Sequence, residues 1–345
     1  MLMIELLKQL VSIPSVSRNE AQAADFLQAS MASRGLDVHR CGHNLWVESE
    51  PESGKPSILL NAHIDTVKPA ASYTRDPFTP FVQDGKIYGL GTNDCGASLV
   101  ALLEAFLRLS SKPQPYRLVY SATAEEEVSG HGGLEMILPE IGRIDLGIIG
   151  EPTGMRPAVA EKGLMVLDCV AAGKSGHAAR EEGVNAIYGA LQDIEWFRNY
   201  RFAKVSDFVG PVKMSVTMIS AGTQHNVVPD RCEFVVDVRN NGLYSNEELL
   251  DEIRQHVASS VTPRSTRLNG SSISLEHPVV RRAAALGLEP FGSPTISNQT
   301  LCPFTTLKIG PGESSRSHTA DEYIIISEIE QGLDLYCKLL DGLEI

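Results

Sequence analysis

Along the first 150 positions, apolar residues fall into short unbroken runs separated by stretches with helical spacing. SILLNA (57–62), RLVYSAT (117–123) and DLGIIG (145–150) are such runs, and they read as buried strands. SLVALLEAFLRLS (98–110) and GGLEMILPEI (132–141) carry the spacing of helices. The opening segment MLMIELLKQLVSIPSVSRNE is amphipathic, with Glu5 and Lys8 inside its pattern, and predicts a first helix. Continuous apolar strands alternating with helices predict a largely parallel sheet covered on both faces. Segment 66–86, rich in proline and glycine, reads as a long loop.

The pattern changes after residue 160. GLMVLDCVAAG (163–173) predicts a strand, NAIYGALQDIEWFRNY (185–200) a helix, and PVKMSVTMISAG (211–222) and RCEFVVDVRN (231–240) two further strands. SNEELLDEIRQHVASSV (245–261) predicts a helix opened by a capping box of Ser245 and Glu248, and a last strand is expected near 265–275. That order, β-α-β-β-α-β, is the ferredoxin-like unit. HPVVRRAAALG (277–287) then restarts a helix, and TTLKIGPG (305–312) supplies one more apolar strand. The expected fold class is α/β. A mostly parallel catalytic domain of residues 1–160 and 276–345 is interrupted by an inserted ferredoxin-like domain of residues 161–275.

Composition narrows the function. The chain has 345 residues, 43% of them hydrophobic, an ordinary fraction for a globular protein of two domains. No apolar run approaches the ~20 residues that cross a bilayer, so no membrane partner is expected. The N-terminus lacks a basic region and a small-residue cleavage site, which favours a structural helix over a signal peptide. The 6 cysteines form no C-x-x-C pair, as expected of a reduced, cytoplasmic protein without a structural zinc knot. A net charge of −13 with no basic block argues against a nucleic-acid partner.

The polar residues that follow the predicted strands carry the chemistry. SILLNA leads into His63 and Asp65, RLVYSAT into Glu125, Glu126 and Glu127, and DLGIIG into Glu151. GLGTND (89–94) ends in Asp94 just before a helix, and TTLKIGPG is followed across a short loop by His318. Parallel strands send their carboxyl ends to one edge of the sheet, where open α/β folds place ligands. So many carboxylates gathered there require cations to neutralise them. Two histidines among carboxylates suit zinc, cobalt or manganese better than calcium or magnesium. The number of ligands fits two metals sharing one carboxylate. GLGTND also resembles the start of a dinucleotide-binding G-x-G-x-x-G, but Asp94 at its sixth position would repel a pyrophosphate. His39, His43, His131, His256 and His277 lack a comparable setting and read as structural or exposed.

His63-Ile-Asp65, GLGTND, TAEEE, GEPT and SHTADE together resemble the co-catalytic zinc exopeptidases and N-deacylases. That family includes acetylornithine deacetylase, succinyl-diaminopimelate desuccinylase, aminoacylase and glutamate carboxypeptidase. The resemblance runs the length of the chain, through GKSGHAA with His177 and GTQHNVVPDRCEFVVDVR. It implies that His63 and Glu151 hold one metal, Glu127 and His318 the other, and that Asp94 bridges them. The metals are two divalent ions, zinc first and cobalt as an alternative. It implies further that Glu126 is the general base, that Asp65 orients His63, and that the Asp94–Cys95 peptide is cis. His177 of the inserted domain would reach a partner's active site across a homodimer and stabilise an oxyanion there. Asn226 and Arg239 match substrate-binding positions. Three positions depart from the common pattern: Cys95-Gly96-Ala97 stands where Lys-Gly-Gly is common, Glu125 where Asp is usual, and Asn298 where many relatives carry Asp. None removes a metal ligand.

The activity so implied is hydrolysis of the amide bond of an N-acyl amino acid, an N-acetyl- or N-succinyl-ornithine, -citrulline or -diaminopimelate, with a place in arginine biosynthesis. A metallo-dipeptidase or carboxypeptidase is the nearest rival. A non-catalytic binding protein of the same fold is the rival from another class, and such proteins commonly lose a ligand or the base.

Overall fold

The computed structural model describes residues 2–49, 54–180 and 182–345. Contacts between Cα atoms divide the chain into two compact units. One comprises Met1–Val159, Ile273–Phe291 and Ser297–Ile345; the other comprises Ala160–Ser272 and Gly292–Ile296.

The first unit is built on a mostly parallel sheet. Its central strands lie in the order Arg117–Thr123, Ser57–His63, Leu146–Ile149 and Thr306–Lys308, all parallel. Asn44–Glu48 and His39–Cys41 extend one side antiparallel, and Ala158 pairs antiparallel with Lys308 on the other. Every residue of Ser57–His63 is buried, as an unbroken apolar run requires when helices cover both faces. Alternate side chains go to opposite sides. Ile58 and Leu60 pack with the helices Leu2–Val11, Ala97–Ser110 and Ile326–Leu340, whereas Leu59 packs with Leu134, Ile137 and Ile141 of the helix Leu134–Ile141.

Segment 66–86, expected to be loop, contains the strand Phe81–Gln83. It pairs antiparallel with Lys86–Tyr88, which in turn pairs with Tyr323–Ile325. Strands of three residues are too short to show an alternation, and the second partner lies far along the chain.

The second unit is a four-stranded antiparallel sheet in the order Lys213–Ala221, Arg231–Arg239, Met165–Ala172, Ser260–Pro263. The helices Ala186–Asn199 and Asn246–His256 complete the β-α-β-β-α-β order. Ser245 caps the second helix: its hydroxyl accepts from the Glu248 N–H at 3.1 Å, and the Glu248 carboxylate accepts from the Ser245 N–H at 2.7 Å. That helix stops at His256, and the last strand begins at Ser260 instead of near 265. The cause is Asp193 on the other helix. Its buried carboxylate accepts the N–H groups of Ala258 at 3.0 Å and Ser259 at 2.8 Å, drawing the chain out of the helix early. Among the described residues, no helix is long and apolar enough to cross a membrane.

Candidate active site

Each central strand of the first unit ends at the same edge, and the residue types that follow decide what collects there. His63 is the last residue of its strand and is 2% exposed. Thr123 stands beside it in the ladder, and three residues on the chain enters the tight turn Glu126–Val128. Glu151 follows Leu146–Ile149, and His318 lies in the loop after Thr306–Lys308.

These groups converge. One ligand atom each from His63, Asp94 and Glu127 lie within 4.8 Å of one another, and so do atoms of His63, Glu126 and Glu151. Asp94 stands between the two histidines. Its Oδ1 is 3.3 Å from His63 Nε2, and its Oδ2 is 3.7 Å from His318 Nε2. His318 Nε2 also meets Glu127 Oε2 at 2.9 Å, and His63 Nε2 lies 4.0 Å from Glu151 Oε1. The Asp94–Cys95 peptide is cis, as the resemblance implies.

The electrostatics test whether metal fits. Burial pushes the Glu126 carboxyl up to about 8, and repulsion from Glu127, Asp65 and Asp94 adds to it against the opposing pull of His63. Burial and then repulsion from Glu126 and Asp94 hold the Glu151 carboxyl well above its ordinary range. Carboxylates this close cannot all ionise unless positive charge is brought among them. Two imidazoles and four carboxylates are the mixed nitrogen and oxygen set that borderline divalent ions prefer. The residues therefore fit divalent metal.

Asp65 has a wider role than facing His63. The His63 Nδ1 is held at 2.8 Å by the main-chain carbonyl of Asp65, with the carboxylate Oδ1 at 3.5 Å. The carboxylate also accepts the N–H groups of Glu126 at 3.0 Å and Glu127 at 3.1 Å, and the hydroxyl of Ser17 at 2.7 Å. One side chain thus sets the histidine and the turn carrying two glutamates. Asp65→Asn would present an amide N–H₂ to one of those N–H donors. Leaving a buried donor unpaired costs about 1–3 kcal/mol. Chemical denaturation should show a loss of that size, and an unchanged midpoint would refute this reading of Asp65.

Glu125, at φ 57°, folds its side chain back under the loop that follows, where its Oε2 accepts from Gly132 N–H at 3.3 Å. A Cβ on Gly130 would collide with that carboxylate, so the loop needs glycine there. Glu20, fully buried, accepts the Glu125 N–H at 3.2 Å. Glu125 therefore shapes the turn that carries Glu126 and Glu127. Asn298 is buried in a neutral network: its amide donates to Asn61 Oδ1 at 3.0 Å and to Thr123 Oγ1 at 3.2 Å.

The remaining candidates belong to the second unit. His177 is exposed and pairs across a short ladder with Val227, and the Ala178 N–H donates to the Asn226 carbonyl at 3.1 Å. His177 and Asn226 are therefore neighbours. Arg239 makes a bidentate pair with Asp237, Nε to Oδ1 at 2.8 Å and Nη2 to Oδ2 at 3.0 Å. Glu322 and Asn93 were not singled out by sequence reasoning, although both lie inside quoted motifs. Their bonds are chiefly to main-chain groups, which leave no side-chain pattern to read.

The family model described as peptidase family M20/M25/M40 matches residues 59–342. Acetylornithine deacetylase of Pectobacterium atrosepticum is 30% identical over 379 residues, covering 98% of this chain and 96% of the relative. The Proteus mirabilis protein of the same name is 28% identical over 371 residues, with the same coverage. Among solved structures, aminopeptidase PepT from Bacillus cereus superposes with a TM-score of 0.78 at 20% identity, over 98% of this chain and 97% of that one. The Bacillus subtilis YXEP protein, a dinuclear metal-binding peptidase, gives 0.74 at 15% identity, over 98% and 96%.

Proposed function

This chain belongs to peptidase family M20/M25/M40 and is a metal-dependent amidohydrolase, and on that premise we propose that it is an N-deacylase of amino acids. The substrates are N-acetyl- or N-succinyl-amino acids of the ornithine, citrulline or diaminopimelate type, and the products are a carboxylate and a free amine. The observation that carries the reading is Asp94, whose two oxygens face one histidine each, with Glu126, Glu127 and Glu151 around them. The names of the relatives supply the acyl amino acid.

His63 and Glu151 would hold one divalent ion, Glu127 and His318 a second, and Asp94 both; zinc is the first candidate and cobalt the second. Such ions, when bound, polarise an amide carbonyl and make water acidic near neutral pH. Glu126 takes a proton from the attacking water and delivers it to the amine nitrogen as the C–N bond breaks. His177 donates to the carbonyl oxygen as negative charge develops there. Asn226 and Arg239 hold the amino-acid portion. Asp237 occupies the Nε and Nη2 edge of Arg239, so a substrate carboxylate would meet Nη1.

The same reading includes a homodimer built through residues 161–275. In the second unit the strand Lys213–Ala221 lies at the edge of its sheet and exposes Met218 (63%) and Ile219 (56%). The helix Ala186–Asn199 exposes Tyr188. An apolar edge of this kind suits pairing across a two-fold axis. Among the described residues no cysteine is joined in a disulfide, which supports a reducing, cytoplasmic setting.

The test is metal content and turnover on one preparation. Purified protein should carry about two equivalents of divalent metal, a stoichiometry set by two ions sharing a carboxylate. It should release amine from N-acetyl- or N-succinyl-ornithine, lose that activity to a chelator and regain it with zinc or cobalt. Turnover of dipeptides with little of acyl amino acids would favour the peptidase reading, which the fold shared with aminopeptidase PepT also accommodates.

A further inference from the structure

Two side chains outside the ligand set stitch together the loops that carry Asp94 and His318. Glu322 is 2% exposed, and its carboxylate accepts three main-chain N–H groups of the Asp94 loop. They are Asn93 at 2.8 Å and Asp94 at 3.0 Å, both on Oε1, and Gly91 at 3.1 Å on Oε2. The Glu322 carbonyl accepts a fourth, from Gly89 at 2.9 Å. Asn93, fully buried, answers in the other direction. Its amide donates to the Glu313 carbonyl at 3.1 Å and to Ser317 Oγ at 3.3 Å, and its Oδ1 accepts the Glu313 N–H at 3.0 Å. Gly312, at φ 90°, packs so tightly on that amide that a Cβ would collide with Asn93 Oδ1.

Nothing in regular secondary structure requires this. In the turn at residues 91–94 the Thr92 N–H is held by the Gly89 carbonyl at 3.2 Å, and Glu322 supplies the acceptor for the N–H groups of Gly91, Asn93 and Asp94. Residues 313–318 include a left-handed His318, at φ 58°, a conformation that a side chain other than glycine adopts at a cost. Each loop is held by the other. Glu322 fixes where the Asp94 carboxylate starts, and Asn93 fixes the segment that ends in His318.

We propose that Glu322 and Asn93 are positioning residues that make the Asp94 and His318 loops one rigid body, so that both metal positions form together. The proposal rests on the metal-dependent reading of the centre. A ligand held by a supporting shell binds metal 10–100-fold more tightly than one left loose, as a rough general range. Glu322→Gln replaces one acceptor oxygen with an N–H₂ aimed at N–H donors. Asn93→Ala removes both halves of the tie to Glu313.

The probe is cobalt(II), titrated into metal-free protein and followed by visible absorption, electron paramagnetic resonance and calorimetry. Wild type should take up two equivalents and show spin coupling between them. Both variants should hold the second equivalent roughly 10–100-fold more weakly, with the coupled signal reduced. Asn246→Ala is the control for mere destabilisation. Asn246 is fully buried in the second unit and its amide donates to Leu164, Thr266 and Leu268, so its loss should lower the melting temperature and leave cobalt binding unchanged. If Glu322→Gln does not fold, Asn93→Ala carries the test alone. Variants that bind two cobalt ions with wild-type affinity and coupling would overturn the proposal. Wild-type protein that takes up no cobalt would overturn the metal-dependent reading as well.

Discussion

Glu126→Gln is expected to keep its metal and to lose turnover by ~10²–10⁴-fold, the usual worth of a general base. Glu126 stands in the same tight turn as Glu127, and both N–H groups are held by the Asp65 carboxylate. Glutamine keeps the length and the main-chain bonds, so the turn is preserved. What it cannot do is accept a proton from water and return it to nitrogen. Glu127, one residue on, meets His318 Nε2 at 2.9 Å and is already committed to an imidazole. The two neighbours therefore predict different failures. Glu127→Gln should weaken metal binding, whereas Glu126→Gln should leave metal content near wild type with kcat collapsed. Metal analysis and steady-state rates on the same preparation decide this. A Glu126→Gln protein that retains more than about a tenth of wild-type rate would remove Glu126 from the base's role.

How the centre could be read from the sequence follows from its physics. A parallel sheet buried on both faces leaves unbroken apolar runs, and a polar residue right after such a run stands at the sheet's edge. His63, Glu126, Glu127 and Glu151 were legible for that reason. Asp94 and His318 sit in loops, and periodicity says nothing about where a loop points. Their places, just before a helix and just after the last apolar strand, marked them as candidates, and motif resemblance supplied their roles. Glu322, Asn93 and Glu20 act on main-chain N–H groups, an interaction with no sequence period. The short strands Phe81–Gln83 and Tyr323–Ile325 were hidden for a related reason: their pairing depends on chain returning from far away. The early start of the strand at Ser260 depends on Asp193 in another helix, which local propensity cannot register.

His177→Ala is the second large effect, and its test also asks where the histidine acts. His177 is exposed on the second unit, with its Nδ1 accepting the Ala179 N–H at 3.1 Å, so Nε2 is the nitrogen left to carry a proton outward. A donor aimed at a developing oxyanion is typically worth ~10²–10³-fold in kcat, and His177→Ala should fall by that much with metal content unchanged. The resemblance implies that this donor serves the partner's centre. Complementation tests that directly. Glu126→Gln subunits keep the histidine and lack the base; His177→Ala subunits keep the base and lack the histidine. In a mixed dimer with the histidine acting across the interface, the site on the His177→Ala subunit has both groups, and the other site has neither. Mixing the two inactive proteins under conditions of subunit exchange should therefore restore activity at one site of each mixed dimer. If the histidine acted within its own subunit, every site in the mixture would lack one group and no activity would return. Exchange confirmed by mass with no recovered rate, or a fully active monomer in sedimentation, would rule out the trans arrangement.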